Sequence, residues 1–263
     1  MHYDTLAAVY EFLVPEELLE PEGAAGAFAG VLDGLAPGAS VLDCAAGTGT
    51  LAVGLALRGF DVTATDASAA MVERARALAE RRGVALRSAT CTWERLADQG
   101  WEESFDAVLC VGNSLTHAAE RAGRRATLGA IAGVLAPGGL LALTSRNWER
   151  LRAARPGLEV GDRLVERGGR QSLVVRAWTL PDRWDEPHYL DVAVALVRDG
   201  EVETHGERLR FWPFTERQLH DDLRAAGLEP LASTYERDAE RYLVTACTAA
   251  RAGARAGRPR PSA

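Results

Sequence analysis

Two aspartates bracket a stretch of this chain that has almost no side chains. Residues 41–50 read VLDCAAGTGT: an apolar run stops at Asp43, and small residues follow until a helical pattern begins at Thr50. A second apolar run, 60–65, stops at Asp66. Bare backbone lets a ligand lie against main-chain atoms, and Gly47 and Gly49 allow the closest approach. An acid at the lip of such a loop suits a positively charged ligand group. An acid ending the next strand can accept hydrogen bonds from both hydroxyls of a ribose. The plain alternative for Asp43 is a turn or helix-capping acid.

Two cofactors match this sketch. GTGTLA, 47–52, satisfies the G-x-G-x-x-A pattern of dinucleotide sites, so NAD is one. S-adenosylmethionine is the other: it has no phosphate but carries an ammonium and a carboxylate. Asp43 would repel a pyrophosphate and hold an ammonium, so charge favours S-adenosylmethionine.

The elements that must position these residues follow from periodicity. Strand patterns at 40–44, 60–65, 86–91 and 105–111 alternate with helical ones at 50–58, 69–82 and 124–135. The PGG turn at 137–139 leads into a fifth strand, LLALTS. Strands separated by helices imply an α/β, doubly wound, mostly parallel sheet. Short strands at 231–235 and 241–246 return to it, making seven. Between them the pattern changes. Longer strands at 171–180, 189–198 and 203–212, with RDGE as a hairpin signal, predict an inserted antiparallel flap within about 150–212. Thr215 caps a helix over 215–226, with Gly227 past its end. One domain is expected over 1–249, followed by a small, basic, disordered tail over 250–263.

Composition narrows the class further. The chain has 263 residues, 47% of them apolar, and a formal charge of −7. That balance disfavours a nucleic-acid partner. No apolar run is long enough to span a bilayer, and the N-terminal residues do not read as a signal peptide, so a cytoplasmic enzyme without a membrane partner is expected. Cys44, Cys91, Cys110 and Cys247 are scattered, which predicts buried thiols rather than disulfides or a metal site.

VLDCAAGTGTLAVGLALRGFDVTATDAS resembles the cofactor-binding start of class I S-adenosylmethionine-dependent methyltransferases, with Ala45 in place of the usual first glycine. The glycine/sarcosine N-methyltransferase branch also carries alanine there. FDAVLCVGNSLTHA, LTSRNWERL and RLRFWPFTERQLHDDLRAAGL resemble further segments of that branch. The likeness covers roughly residues 3–246, with 150–190 poorly matched.

The resemblance implies a Rossmann-like methyltransferase fold and S-adenosylmethionine as cofactor, with S-adenosylhomocysteine as product. It assigns cofactor contacts to Tyr3, Asp43, Ala45, Gly47, Gly49, Asp66, Ala67, Met71, Thr92, Trp93, Val111 and Gly112. Trp93 would stack on the adenine, while Thr92 replaces the Asn or Asp that usually meets the adenine amine. Tyr3 and Tyr10 resemble tyrosines that lie over the cofactor. The acceptor site would comprise Tyr10, Asn113, His117, Arg146, Asn147 and Trp212, with Asn113, His117 and Arg146 as the catalytic group. Arg146 would grip the carboxylate of a small amino-acid-like amine while Asn113 and His117 aim its nitrogen. The branch forms homo-oligomers, which no residue pattern here derives. Competing readings are a natural-product N- or O-methyltransferase, a non-catalytic cofactor-binding module and an NAD oxidoreductase.

Overall fold

The structure is a computed structural model and describes residues 3–161, 163–198 and 200–250. Seven strands form the main sheet: β1 (Ser40–Asp43), β2 (Asp61–Asp66), β3 (Arg87–Thr90), β4 (Phe105–Cys110), β5 (Leu135–Arg146), β11 (Leu228–Ser233) and β12 (Arg241–Thr248). Their order is β11-β12-β5-β4-β1-β2-β3. The first five run parallel, β12 pairs antiparallel with β5, and β11 antiparallel with β12. Strand order reverses between β1 and β4, the place where open α/β sheets bind ligands at their carboxyl ends.

The chain connects these strands through α1 (Pro21–Gly26), α2 (Ala29–Leu32), α3 (Thr50–Leu57), α4 (Ala69–Arg82), α5 (Glu120–Val134), α6 (Trp148–Ala154) and α7 (Glu216–Ala225). Side chains alternate across each strand, so the two faces bury different cores. Leu42, Val108 and Leu143 pack with α5 and α7. Val41, Leu109 and Ala142 pack with α1 and α3 on the opposite face.

Local chemistry fixes several boundaries. Ser68 caps α4 by accepting from Met71 N at 3.2 Å, and Gly83 ends it at φ 66°. Thr215 and Gln218 form a reciprocal capping box at the start of α7. The PGG segment behaves differently from a simple turn ahead of β5. It lies within the strand, and the register slips there from Phe105↔Leu135 to Ala107↔Leu140. Pro137 has no N–H to give the ladder and Gly138 has φ 76°, so the chain bulges and resumes pairing.

The antiparallel insertion is a second sheet. Its strands are β6 (Leu158–Val160), β7 (Val165–Arg167), β8 (Arg170–Thr179), β9 (His188–Arg198) and β10 (Glu201–Phe211), in the order β10-β9-β8-β6, with β7 also on β8. β9 and β10 pair from Arg198↔Glu201 onward, as the RDGE signal implies, although Asp199 lies outside the described residues. Its inner face packs Val174, Val192, Val194 and Phe211 against Leu6, Val9 and Phe12 of the N-terminal segment and Trp148 of α6. The sheet therefore reaches the carboxyl edge of the main sheet through residues 3–13 and α6. Of the tail expected over 250–263, all but Ala250 lies outside the described residues.

One buried ion cluster ties α5 to α7. Arg121, Arg124 and Arg125 share a face of α5, and all donate through Nε to fully buried Asp222, at 2.7, 2.8 and 2.7 Å. Burial raises the affinity of that carboxyl for its proton, but the three guanidinium groups outweigh it and hold its pKa below the usual range.

Candidate active site at the carboxyl edge of the main sheet

Asp43 shares a face of β1 with Val41, Asp66 shares a face of β2 with Val62 and Ala64, and Arg146 shares a face of β5 with Ala142. All three stand on the same side of one sheet edge. The two acids are on neighbouring strands. Arg146 is two strands from Asp43 across the sheet and four residues further along it, since Asp43 is level with Leu109 and Leu109 with Ala142, so the two positions are about 16 Å apart by strand geometry.

Their environments differ. Asp66 accepts from Gly47 N and from Ser68 N, both at 2.9 Å, and so holds the glycine loop to the end of β2. Asp43 is buried, and its nearest donor, Ala45 N, is 3.5 Å from Oδ1. Its Oδ2 is buried with no partner among the described residues. Burial, offset in part by the Ala45 N–H and reinforced by the Asp66 charge, pushes the Asp43 carboxyl up to about 7.

The two loop glycines serve different ends. A Cβ on Gly47, at φ 53°, would meet only Tyr10 Cε1, at 3.9 Å, so the backbone there is open to a ligand. A Cβ on Gly49, at φ 81°, would lie 2.5 Å from Ala75 Cβ. Gly49 is thus required by the close packing of α4 against the start of α3, a reason the ligand argument does not need.

A cavity opens beside the loop, lined by Tyr3, Cys44, Ala45, Asp66, Ala67, Cys91, Thr92, Trp93, Glu94, Ser114, His117 and Arg210. Trp93 donates its indole N–H to Cys44 O at 2.8 Å, which fixes the ring in the wall. The Cys110 thiol and burial push Cys44 up, and burial pushes Cys91 up, so both remain thiols and neither is an activated nucleophile. Met71 is buried on α4 just beyond Ala67. Cys44, Cys91, Glu94, Ser114 and Arg210 are not among the site residues expected from sequence. Cys44 sits inside the quoted loop, and Arg210 lies two residues from Trp212.

The N-terminal segment lies across this cavity. Tyr3 donates its hydroxyl to His117 Nε2 at 2.8 Å, and His117 Nδ1–H donates to Arg210 O at 2.9 Å. The carbonyl can only accept, which places the proton on Nδ1. Burial lowers the His117 pKa to about 4, partly opposed by that backbone bond, and the ring is neutral at pH 7. Tyr10 meets Tyr3 edge to face at 6.0 Å and lies over Gly47, on the loop side of the site.

Val111, Gly112 and Asn113 follow β4. Gly112 N donates to Thr144 Oγ1 at 2.8 Å. Asn113 sits at φ 69°, and its Oδ1 accepts from Arg146 N at 3.0 Å and Trp148 Nε1 at 3.2 Å. Those bonds leave its carbonyl little capacity for a ligand amine; the side chain fixes the exit of β5. Asn147 is likewise engaged by the fold. It caps α6 through Arg150 N at 3.0 Å and donates to Glu236 O and Arg237 O, each at 3.1 Å. Trp212 N donates to Thr116 O at 2.6 Å, and its buried indole N–H has no partner among the described residues.

Arg146 is the exception among these side chains. Its guanidinium lies over the Trp178 ring of β8, 5.3 Å from the centroid, and among the described residues it makes no ion pair or hydrogen bond to an acid. Burial and the Arg241 charge lower its pKa to about 10, so it stays a cation at pH 7. Among the described residues there is no cluster of metal-ligating side chains and no helix long and apolar enough to cross a membrane.

Comparison with known proteins agrees with this geometry. Residues 41–139 match the family model described as a methyltransferase domain. The chain is 38% identical over 142 residues to the glycine/sarcosine N-methyltransferase of Parasynechococcus marenigrum, which covers 49% of this chain and 50% of that protein. It therefore spans about half the length of the curated relatives it matches. Among solved structures, an S-adenosylmethionine-dependent methyltransferase from Clostridium acetobutylicum superposes with a TM-score of 0.77 at 16% identity, over 94% of this chain and 99% of that one. An amino pentose methyltransferase from Micromonospora echinaspora, solved with S-adenosylmethionine bound, gives 0.68 at 23% identity, over 94% and 98%. The glycine loop, Asp66 and the cavity walls other than Tyr3 and Arg210 lie within residues 41–139, the stretch that matches the methyltransferase domain model, and the chain has a Rossmann-like fold with a second, antiparallel sheet.

Proposed function

We propose that the chain is an S-adenosylmethionine-dependent methyltransferase that methylates the amine of a small, carboxylated, amino-acid-like acceptor. One observation carries the reading: among the described residues, a buried carboxylate oxygen of Asp43 has no donor and the Arg146 cation has no ion-pair partner, and the two stand on the same face of the same sheet edge.

The residues present suit this cofactor. Asp43 Oδ2 is the orphaned acceptor an ammonium would satisfy, and a pyrophosphate there would meet a buried negative charge. Gly47 leaves the loop backbone open. Asp66, anchored by Gly47 N and Ser68 N, stands at the end of β2, where a ribose would meet its carboxylate. Trp93 and Thr92 offer a wall for the adenine, where stacking is worth about 1 kcal/mol. When bound, the cofactor supplies a methyl group activated on a sulfonium.

The chain's own residues then have to hold the acceptor and exclude water. Arg146 matches a carboxylate with its planar fork, and Asn113 fixes the backbone that carries it. The attacking amine must be neutral. His117, neutral with a pKa near 4 and hydrogen-bonded on both nitrogens, is too weak a base to take that proton, and acts by holding Tyr3 across the site. Desolvation of the ammonium lowers its own pKa instead. Alignment of nitrogen, methyl carbon and sulfur accounts for most of the acceleration, up to about 7–11 kcal/mol. In the cell we place this reaction in the cytoplasm, with subunits free to self-associate.

The test is product mass after incubation with the cofactor and a panel of amines: glycine, sarcosine, larger amino acids and an amino sugar. A gain of one methyl on a carboxylated amine is expected. Methylation confined to amines without a carboxylate would overturn the acceptor reading.

A further inference from the structure

Three guanidinium groups meet where the carboxyl edge of the main sheet faces the second sheet. Arg241 opens β12 and is the direct register partner of Arg146, so the two side chains leave the sheet on one side. Arg176 lies two residues before Trp178 on β8, on the same face as the ring that Arg146 covers. Arg176 and Arg241 both act on Arg146 electrostatically. Among the described residues, no carboxylate oxygen lies within 4.0 Å of any of the three. Glu159 stands opposite Arg176 across β6 and β8 without forming an ion pair, and Glu240 is engaged by Arg150 at 3.4 Å.

Arg241 is exposed, and Glu159 and Glu240 act on Arg146 only at a distance, so like charges at the paired positions Arg146 and Arg241 repel without an ion pair between them, and a second anion beside the first carboxylate would relieve that repulsion. We propose that the acceptor is dianionic: beyond the carboxylate at Arg146 it carries a second anionic group, carboxylate or phosphate, held by Arg241 from the main sheet and Arg176 from the second sheet. This rests on the acceptor reading above for the first carboxylate. Arginine forks bind both anions bidentately, and the net charge of −7 points to a small anion rather than to a polymer of phosphates.

The test compares glycine, aspartate and phosphoserine, all primary amines, with the full chain. Initial rates give the ratio of kcat/KM for each dianion over glycine, and calorimetry on the cofactor-loaded protein gives binding independently of turnover. We expect a ratio of about tenfold or more for at least one dianion, the size of one charge-assisted contact, collapsing toward unity in Arg176→Gln and Arg241→Gln. Preference for aspartate would identify a second carboxylate, and preference for phosphoserine a phosphate. Equal rates for all three, unaltered by either substitution, would overturn the second subsite and leave the acceptor reading intact. Dianion binding that depends on Arg176 without methylation of any amine would do the reverse. No binding of either dianion would also overturn the subsite.

Discussion

Three arginines on α5 converge on Asp222, whereas three others, Arg146, Arg176 and Arg241, lie at the candidate-site edge without an ion pair among the described residues. The residue type is the same and the outcome opposite. The first cluster is complete within the chain and joins α5 to α7. The second has no ion-pair partner among the described residues, and the proposed anionic acceptor would complete it. The acids differ too: both oxygens of Asp66 accept from loop N–H groups, whereas Asp43 has one buried oxygen with no partner among the described residues. Satisfied charge marks what holds the fold, and unsatisfied buried charge marks where a ligand goes, because an unpaired buried charge is retained only when binding offsets its desolvation.

The largest effect expected from this contrast is on stability. Asp222→Asn leaves three guanidinium groups competing for a neutral amide, and unfolding by denaturant should show a loss of about 3–5 kcal/mol. An equal loss from Arg146→Ala would erase the distinction between the clusters. Arg146→Ala should instead raise KM for a carboxylated acceptor by about tens of fold, with cofactor affinity retained. Next comes pH. Asp43 must be ionised to hold an ammonium and its carboxyl is raised to about 7, so cofactor affinity should rise about tenfold per unit as pH climbs toward 7, then level off. The sign reverses for the free protein. A carboxyl whose pKa is raised on folding adds stability below its unfolded value near 4, and that contribution is lost as pH rises to about 7. Thermal unfolding of the free protein against pH, with Asp43→Asn lacking this loss, checks it. The smallest effect is expected from Tyr3→Phe, which removes the hydroxyl donated to His117 and should weaken cofactor binding by about two- to tenfold.

The contrast also explains what could be read from sequence. The cofactor half is contiguous: Asp43, the glycine loop and Asp66 lie on two successive strands, and small residues between two acids announce their use. The same holds for α4, whose Ser68 and Gly83 ends are local chemistry. The acceptor half is assembled from distant segments. Arg146 and Arg241 meet only through the register of β5 with β12, and Trp178 arrives on β8, whose place in the second sheet no local pattern specifies. The duties of Asn113 and Asn147 were hidden for the same reason, since their partners include Trp148 Nε1 and the backbone at residues 236–237. Gly49 was legible as a necessary glycine, yet its cause, Ala75 of α4, was not.

The central claim is that the bare oxygen of Asp43 is the seat of a cationic, phosphate-free cofactor. Calorimetric titration of S-adenosylmethionine and of NAD into the wild-type chain and into Asp43→Asn tests it most directly. Saturable binding of S-adenosylmethionine alone, weakened about a hundredfold or more by the substitution, is the predicted result. Binding of NAD in its place, or binding of S-adenosylmethionine that Asp43→Asn leaves unchanged, would contradict it.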